Sequence, residues 1–87
     1  MNIKKIKEEK MAQLNAKKFT REQKSRRLHD IVRAEYDTFT ANGIKYMQID
    51  TYGSENRQTP NIPSQKIQFD KNFAKYLVSI FQMEGLI

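Results

Sequence analysis

The chain has 87 residues, 38% of them apolar and 30% charged, with a formal net charge of +6, which allows one small domain and is not polar enough for disorder throughout. The lack of cysteine excludes a disulfide framework, thiolate metal ligation and a cysteine nucleophile, and the single histidine, His29, argues against a histidine metal site. No apolar run nears the roughly 20 residues of a membrane span, and the opening MNIKKIKEEK lacks the apolar stretch of a secretory signal, so a soluble, unprocessed cytoplasmic protein with no membrane partner is expected.

The charge is unevenly placed. Residues 1–33 hold eleven Lys and Arg against four acids, +7, and residues 34–87 hold five against six, −1. Such asymmetry points to a polyanion partner or to a well-solvated surface.

In chain order, residues 2–18 read as a helix with a thin apolar side made by Ile3, Ile6, Met11 and Leu14. Pairs such as Lys4 with Glu8 support it only weakly, so residues 1–19 are expected to be a basic helical arm, frayed or docked. Residues 20–87 are expected to form the α+β core. Thr20 and Gln23 have the spacing of a capping box. Leu28, Ile31, Val32, Tyr36 and Phe39 then follow the three- and four-residue spacing of an amphipathic helix. Asn42-Gly43 supplies a left-handed stop, and the spacing predicts a helix over 21–41.

The start of that helix concentrates Lys17, Lys18, Arg21, Lys24, Arg26 and Arg27, with Glu22 the one acid among them. This is either a phosphate-contacting surface, since such charge displaces counterions from nucleic acid, or an exposed face kept soluble by charge.

Residues 44–50 alternate imperfectly and predict a strand; residues 65–69 put Ile67 and Phe69 on one face and Lys66 and Gln68 on the other, a half-buried strand. The intervening residues carry no helical pattern for a parallel crossover, so an antiparallel two-stranded ribbon is expected. The loop 51–64 contains Gly53, Ser54 and Asn56, a weak anion-binding candidate of backbone N–H groups and a hydroxyl, and Arg57, whose planar fork suits phosphate. The same residues could simply turn the chain and satisfy local backbone groups.

Asp70 can cap a last helix over 71–84 that stops at Gly85. Phe73, Ala74, Tyr76, Leu77, Val78, Ile80, Phe81 and Met83 cover more than half its circumference. Either a partner covers the extra face, with a symmetric homodimer as the commonest solution, or the N-terminal helix does. The architecture expected is a small α+β domain of order α-α-β-β-α, a two-stranded antiparallel ribbon packed on helices.

The segments Gln48-Ile49-Asp50-Thr51-Tyr52-Gly53-Ser54 with Arg57, and Ser64-Gln65-Lys66-Ile67-Gln68-Phe69-Asp70, resemble the core of small bacterial and phage-type proteins with a D-T-Y-G-S-x-x-R and an S-Q-x-I-Q-F-D segment. The resemblance runs from about Leu28 into the last helix. It implies a domain unit and carries no assigned activity.

No P-loop, dinucleotide fingerprint or zinc spacing is present, and no cofactor or metal is implied. A Ser54, His29, Asp50 triad lacks a nucleophile elbow, and a metal nuclease would have to draw on Asp50, Asp70 and Lys66. The leading expectation is a non-enzymatic nucleic-acid-binding or accessory protein. Lys17, Lys18, Arg21, Lys24, Arg26, Arg27 and Arg57 would contact phosphates. The alternative is a protein-interaction module, an inhibitor or small subunit, that works through the last helix and the ribbon edge.

Overall fold

The computed structural model describes residues 10–53 and 62–87. The expected α-α-β-β-α order does not hold: the described residues form a four-stranded mixed sheet and a single C-terminal helix. Strand β1 is Lys10–Leu14, a 3-10 turn follows at Ala16–Lys18, and then come β2 (Arg33–Ala41), β3 (Ile44–Tyr52), β4 (Gln65–Asp70) and helix α1 (Lys71–Met83). The sheet order is β1-β4-β3-β2, with β1 parallel to β4 and the other neighbours antiparallel.

Neither of the two expected N-terminal helices forms among the described residues, and the first nine residues of the expected arm lie outside them. Where residues 10–18 were expected to be helical, Met11 to Leu14 pair with Lys66 to Phe69 along an edge of the sheet. Residues 19–32 have no regular secondary structure, so the Thr20–Gln23 capping box is not formed. Residues 33–41 are extended, because Tyr36, Thr38, Phe39 and Thr40 favour a pleated surface. Asn42 and Gly43 also take positive φ in succession, 54° and 76°. That is the two-residue turn whose twist matches a β-hairpin, and it closes on the pair Ala41 with Ile44.

The antiparallel pairing of β3 with β4 agrees with the sequence, running from Tyr46 opposite Asp70 to Thr51 opposite Gln65, but it lies at the centre of a sheet rather than in an isolated ribbon. The last helix also agrees. Asp70 Oδ1 accepts the Phe73 N–H at 2.9 Å at its start. At its end Leu86 N–H donates to Phe81 O at 2.8 Å around Gly85, whose φ is 77°, the six-to-one bond that satisfies terminal carbonyls.

Alternation assigns the faces. Leu14, Phe69, Met47 and Thr38 lie in one lateral row, and Ala12, Ile67, Ile49 and Tyr36 in the next. This is the face against which α1 packs, with the Phe69 and Phe73 rings 5.5 Å apart. Phe19 of the irregular segment closes the cluster edge-on to Phe73 at 4.9 Å. Tyr52, Phe69 and Phe73 are the buried apolar side chains among the described residues, Phe73 the deepest at 2% exposure.

The other face is polar. Gln13, Gln68, Gln48 and Asp37 form one row, joined by a bond from Gln68 Nε2 to Gln48 Oε1 at 2.7 Å. In the row beside it Glu35 stands opposite Asp50, a like-charge pair that would repel. Each carboxylate is held separately: Glu35 accepts from Tyr52 Oη at 3.0 Å and Arg33 Nη1 at 3.1 Å, and Asp50 accepts from Gln48 Nε2 at 2.8 Å. The Arg33 guanidinium lies 3.8 Å above the Tyr52 ring. The Tyr52 phenol is pushed above its usual range, first by its hydrogen bond to Glu35 and then by burial.

Among the described residues no helix is long and apolar enough to cross a membrane.

Candidate nucleic-acid interface

The six predicted phosphate contacts in 17–27 sit on a turn and an irregular strap rather than on one helical face. Lys17 and Lys18 end the 3-10 turn directly after β1, where Asn15 Oδ1 accepts the Lys17 N–H at 2.8 Å. Phe19 then anchors the strap on α1, its ring 4.9 Å from Phe73 and 6.4 Å from Tyr76.

Beyond this anchor several cations find carboxylates. Arg21 Nε lies 2.8 Å from Glu84 Oε2 at the far end of α1, and that hydrogen bond, reinforced by charge attraction, raises the Arg21 pKa. Lys24 Nζ lies 2.9 Å from Glu22 Oε1, with Arg26 Nη2 3.9 Å from the same oxygen. All these groups are solvent-exposed, where ion pairs hold weakly and are screened by salt. Lys17, Lys18 and Arg27 make no ion pair among the described residues.

Of the loop candidates, Gly53 alone falls among the described residues. Ser54, Asn56 and Arg57 lie outside the described residues. Gly53 is described, and its N–H is donated to Ser64 Oγ at 3.2 Å. Ser64 N–H in turn reaches Thr51 O at 2.7 Å, so the Gly53 donor is engaged in closing the base of the loop.

The register brings in lysines that sequence spacing did not single out. Continuing the register one step past the pair of Asp70 with Tyr46 sets Lys71 beside Lys45, at the end of the sheet where β1 runs into the 3-10 turn. Lys17, Lys18, Lys45 and Lys71 therefore share the hairpin end of the sheet. Lys45 and Lys71 are exposed and make no ion pair among the described residues. Asp70, next to Lys71 in sequence and across the pairing from Tyr46, accepts the Phe73 N–H. Next to this end Phe39 and Tyr46 stack across the hairpin, 5.4 Å apart and 13° from parallel. The signal that could have revealed the grouping is Asn42-Gly43: read as a hairpin turn, it sets Lys45 next to the turn and Tyr46 opposite Phe39.

Of the residues considered for catalysis, Ser54 lies outside the described residues. Asp50 stands opposite Lys66, and Asp70 is four positions further along β4, about 13 Å away at strand rise. The two carboxylates cannot share an ion, and no group of three metal-ligating side chains occurs among the described residues. His29 is exposed in the strap, not on a core-facing helix.

No family model, curated protein or solved structure matches the chain.

Proposed function

We propose that this chain is a nucleic-acid-binding or accessory protein that holds phosphates through Lys17, Lys18 and the strap cations Arg21, Lys24, Arg26 and Arg27, and works by binding rather than catalysis. The observation that carries the reading is the convergence of Lys17 and Lys18 with Lys45 and Lys71 at one end of the sheet, none of the four in an ion pair among the described residues. Clustered unpaired cations release counterions on meeting a phosphate backbone, and this favours binding at low salt. The exposed pairs to Glu22 and Glu84 are weak enough to be exchanged for phosphates. The four-residue offset between Asp50 and Asp70, about 13 Å at strand rise, supports binding over cleavage by a metal shared between them.

The test is a titration of labelled DNA and RNA at about 50 mM salt. Binding that steepens as salt falls and drops at least tenfold on reversing Arg26 and Arg27 to Glu supports the reading. Absence of binding, or affinity indifferent to the reversal, rejects it. Magnesium-dependent cleavage that Asp50→Asn abolishes would replace it with an enzyme.

A second reading rests on β2. This nine-residue strand is exposed from Arg33 to Thr40 and pairs with β3 along one side, and an open edge is a template for another chain's strand. On this reading the chain is an interaction module, and a homodimer is one form of it. A clean monomer by light scattering across micromolar concentrations would remove the homodimer form.

A further inference from the structure

Between the hairpin end of the sheet and the first turn of α1 lies an open cleft of about 330 Å³. Its apolar wall is made by Met47 and Phe69 from the sheet and Ala74 from the helix, with Tyr46 and Thr38 on the strand side. Lys45 and Lys71 line it from opposite elements, and both are exposed. Asp70 also lines it, one of its carboxylate oxygens receiving the Phe73 N–H, so two lysines that make no ion pair among the described residues face a single carboxylate.

An apolar slot of this kind, at the lower end of the 300–1,000 Å³ typical of ligand sites, suits a flat uncharged body carried between anionic groups. We propose that the cleft receives one unpaired base of a single-stranded nucleic acid, with Lys45 and Lys71 holding the phosphates that flank it. The inference rests on the phosphate-binding reading above and adds a strand class to it. A base can enter only if it is not paired and stacked in a duplex, whereas Lys17, Lys18 and the strap cations attract either form. Thr38 offers a hydroxyl that donates or accepts, which any base edge can use, so no strong sequence preference is expected.

The test compares fluorescein-labelled oligothymidylate with a duplex of equal length, at low salt and on the full chain. Ala74→Leu fills the cleft without changing charge. It is expected to weaken oligothymidylate binding about tenfold, in line with the loss of one stacked base, and to leave duplex binding unchanged. Lys45→Gln together with Lys71→Gln, at exposed positions, is expected to weaken oligothymidylate binding and to flatten its salt slope by about 1.4. Folding of each variant is checked by thermal melting, and if Ala74→Leu does not fold, the lysine pair decides. Wild-type affinity for oligothymidylate in folded Ala74→Leu, or in the double lysine variant, overturns the cleft; if the Arg26 and Arg27 reversal still abolishes binding, the broader reading survives. Failure of the wild-type chain to bind either probe overturns both.

Discussion

Strand β2 and helix α1 are the two regions where apolar residues recur three and four positions apart and a glycine of positive φ follows, yet one is an extended edge and the other a packed helix. The difference lies in what flanks and covers each stripe. Helix α1 begins on a cap that is made, Asp70 to Phe73, and ends on the bond from Leu86 to Phe81. It also buries Phe73 between Phe69 and Phe19. The stretch leading to β2 has no such cap, and Leu28 and Ile31 stay 95% and 99% exposed. Spacing alone therefore did not select a helix; terminal hydrogen bonds and a surface to pack on did.

Five substitutions probe that contrast. Phe73→Ala strikes the most buried side chain and should cost about 3–5 kcal/mol, a large part of a small domain's stability. Chemical denaturation would read it as a collapse of the midpoint, and a loss under about 1 kcal/mol, below the range for core aromatics, would mean that α1 is not held by this residue.

Asp70→Ala should be milder. It removes the cap of α1, for a loss of about 0.5–2 kcal/mol, visible as reduced helical circular dichroism on warming.

The β2–β3 pair has its own probe in pH. Because the folded-state pKa of Tyr52 is raised, the folded chain holds this proton more tightly than the unfolded chain. The stabilisation is complete below about pH 10, the ordinary tyrosine value, and is lost as pH rises through the raised value. Tyr52→Phe should lose that alkaline decline, as followed by melting temperature against pH.

Smallest of all, Leu28→Ser and Ile31→Ser should each shift stability by no more than about 0.5 kcal/mol, as surface changes do. A larger loss in a concentration-dependent melt would mean that a partner covers these side chains.

Part of the candidate interface was legible in the chain. The basic residues from Lys17 to Arg27 stand out in composition, and nothing in the fold buries them. Lys45 and Lys71 did not stand out, because they are 26 residues apart and meet only through the register of β3 with β4. The Asn42-Gly43 step was visible but ambiguous: a left-handed pair ends a helix as readily as it turns a hairpin, and the partner strand decides which.

The sequence by itself determined the elements whose hydrogen bonds close locally. Helix α1 runs from its aspartate cap to its glycine stop, and β3 and β4 alternate about the loop that Ser64 closes. It also determined where the positive charge lies. Tertiary structure alone decided that Lys10–Leu14 would be a strand, since five residues with little apolar pattern become extended only by borrowing the hydrogen bonds of β4. It decided likewise that residues 33–41 would pair with β3 rather than coil, because the ladder with β3 satisfies backbone groups along the whole strand. The pairing of β1 with β4, together with that of β4 with β3, set the ends of β1, β3 and β4 together, and so assembled the lysine end of the sheet.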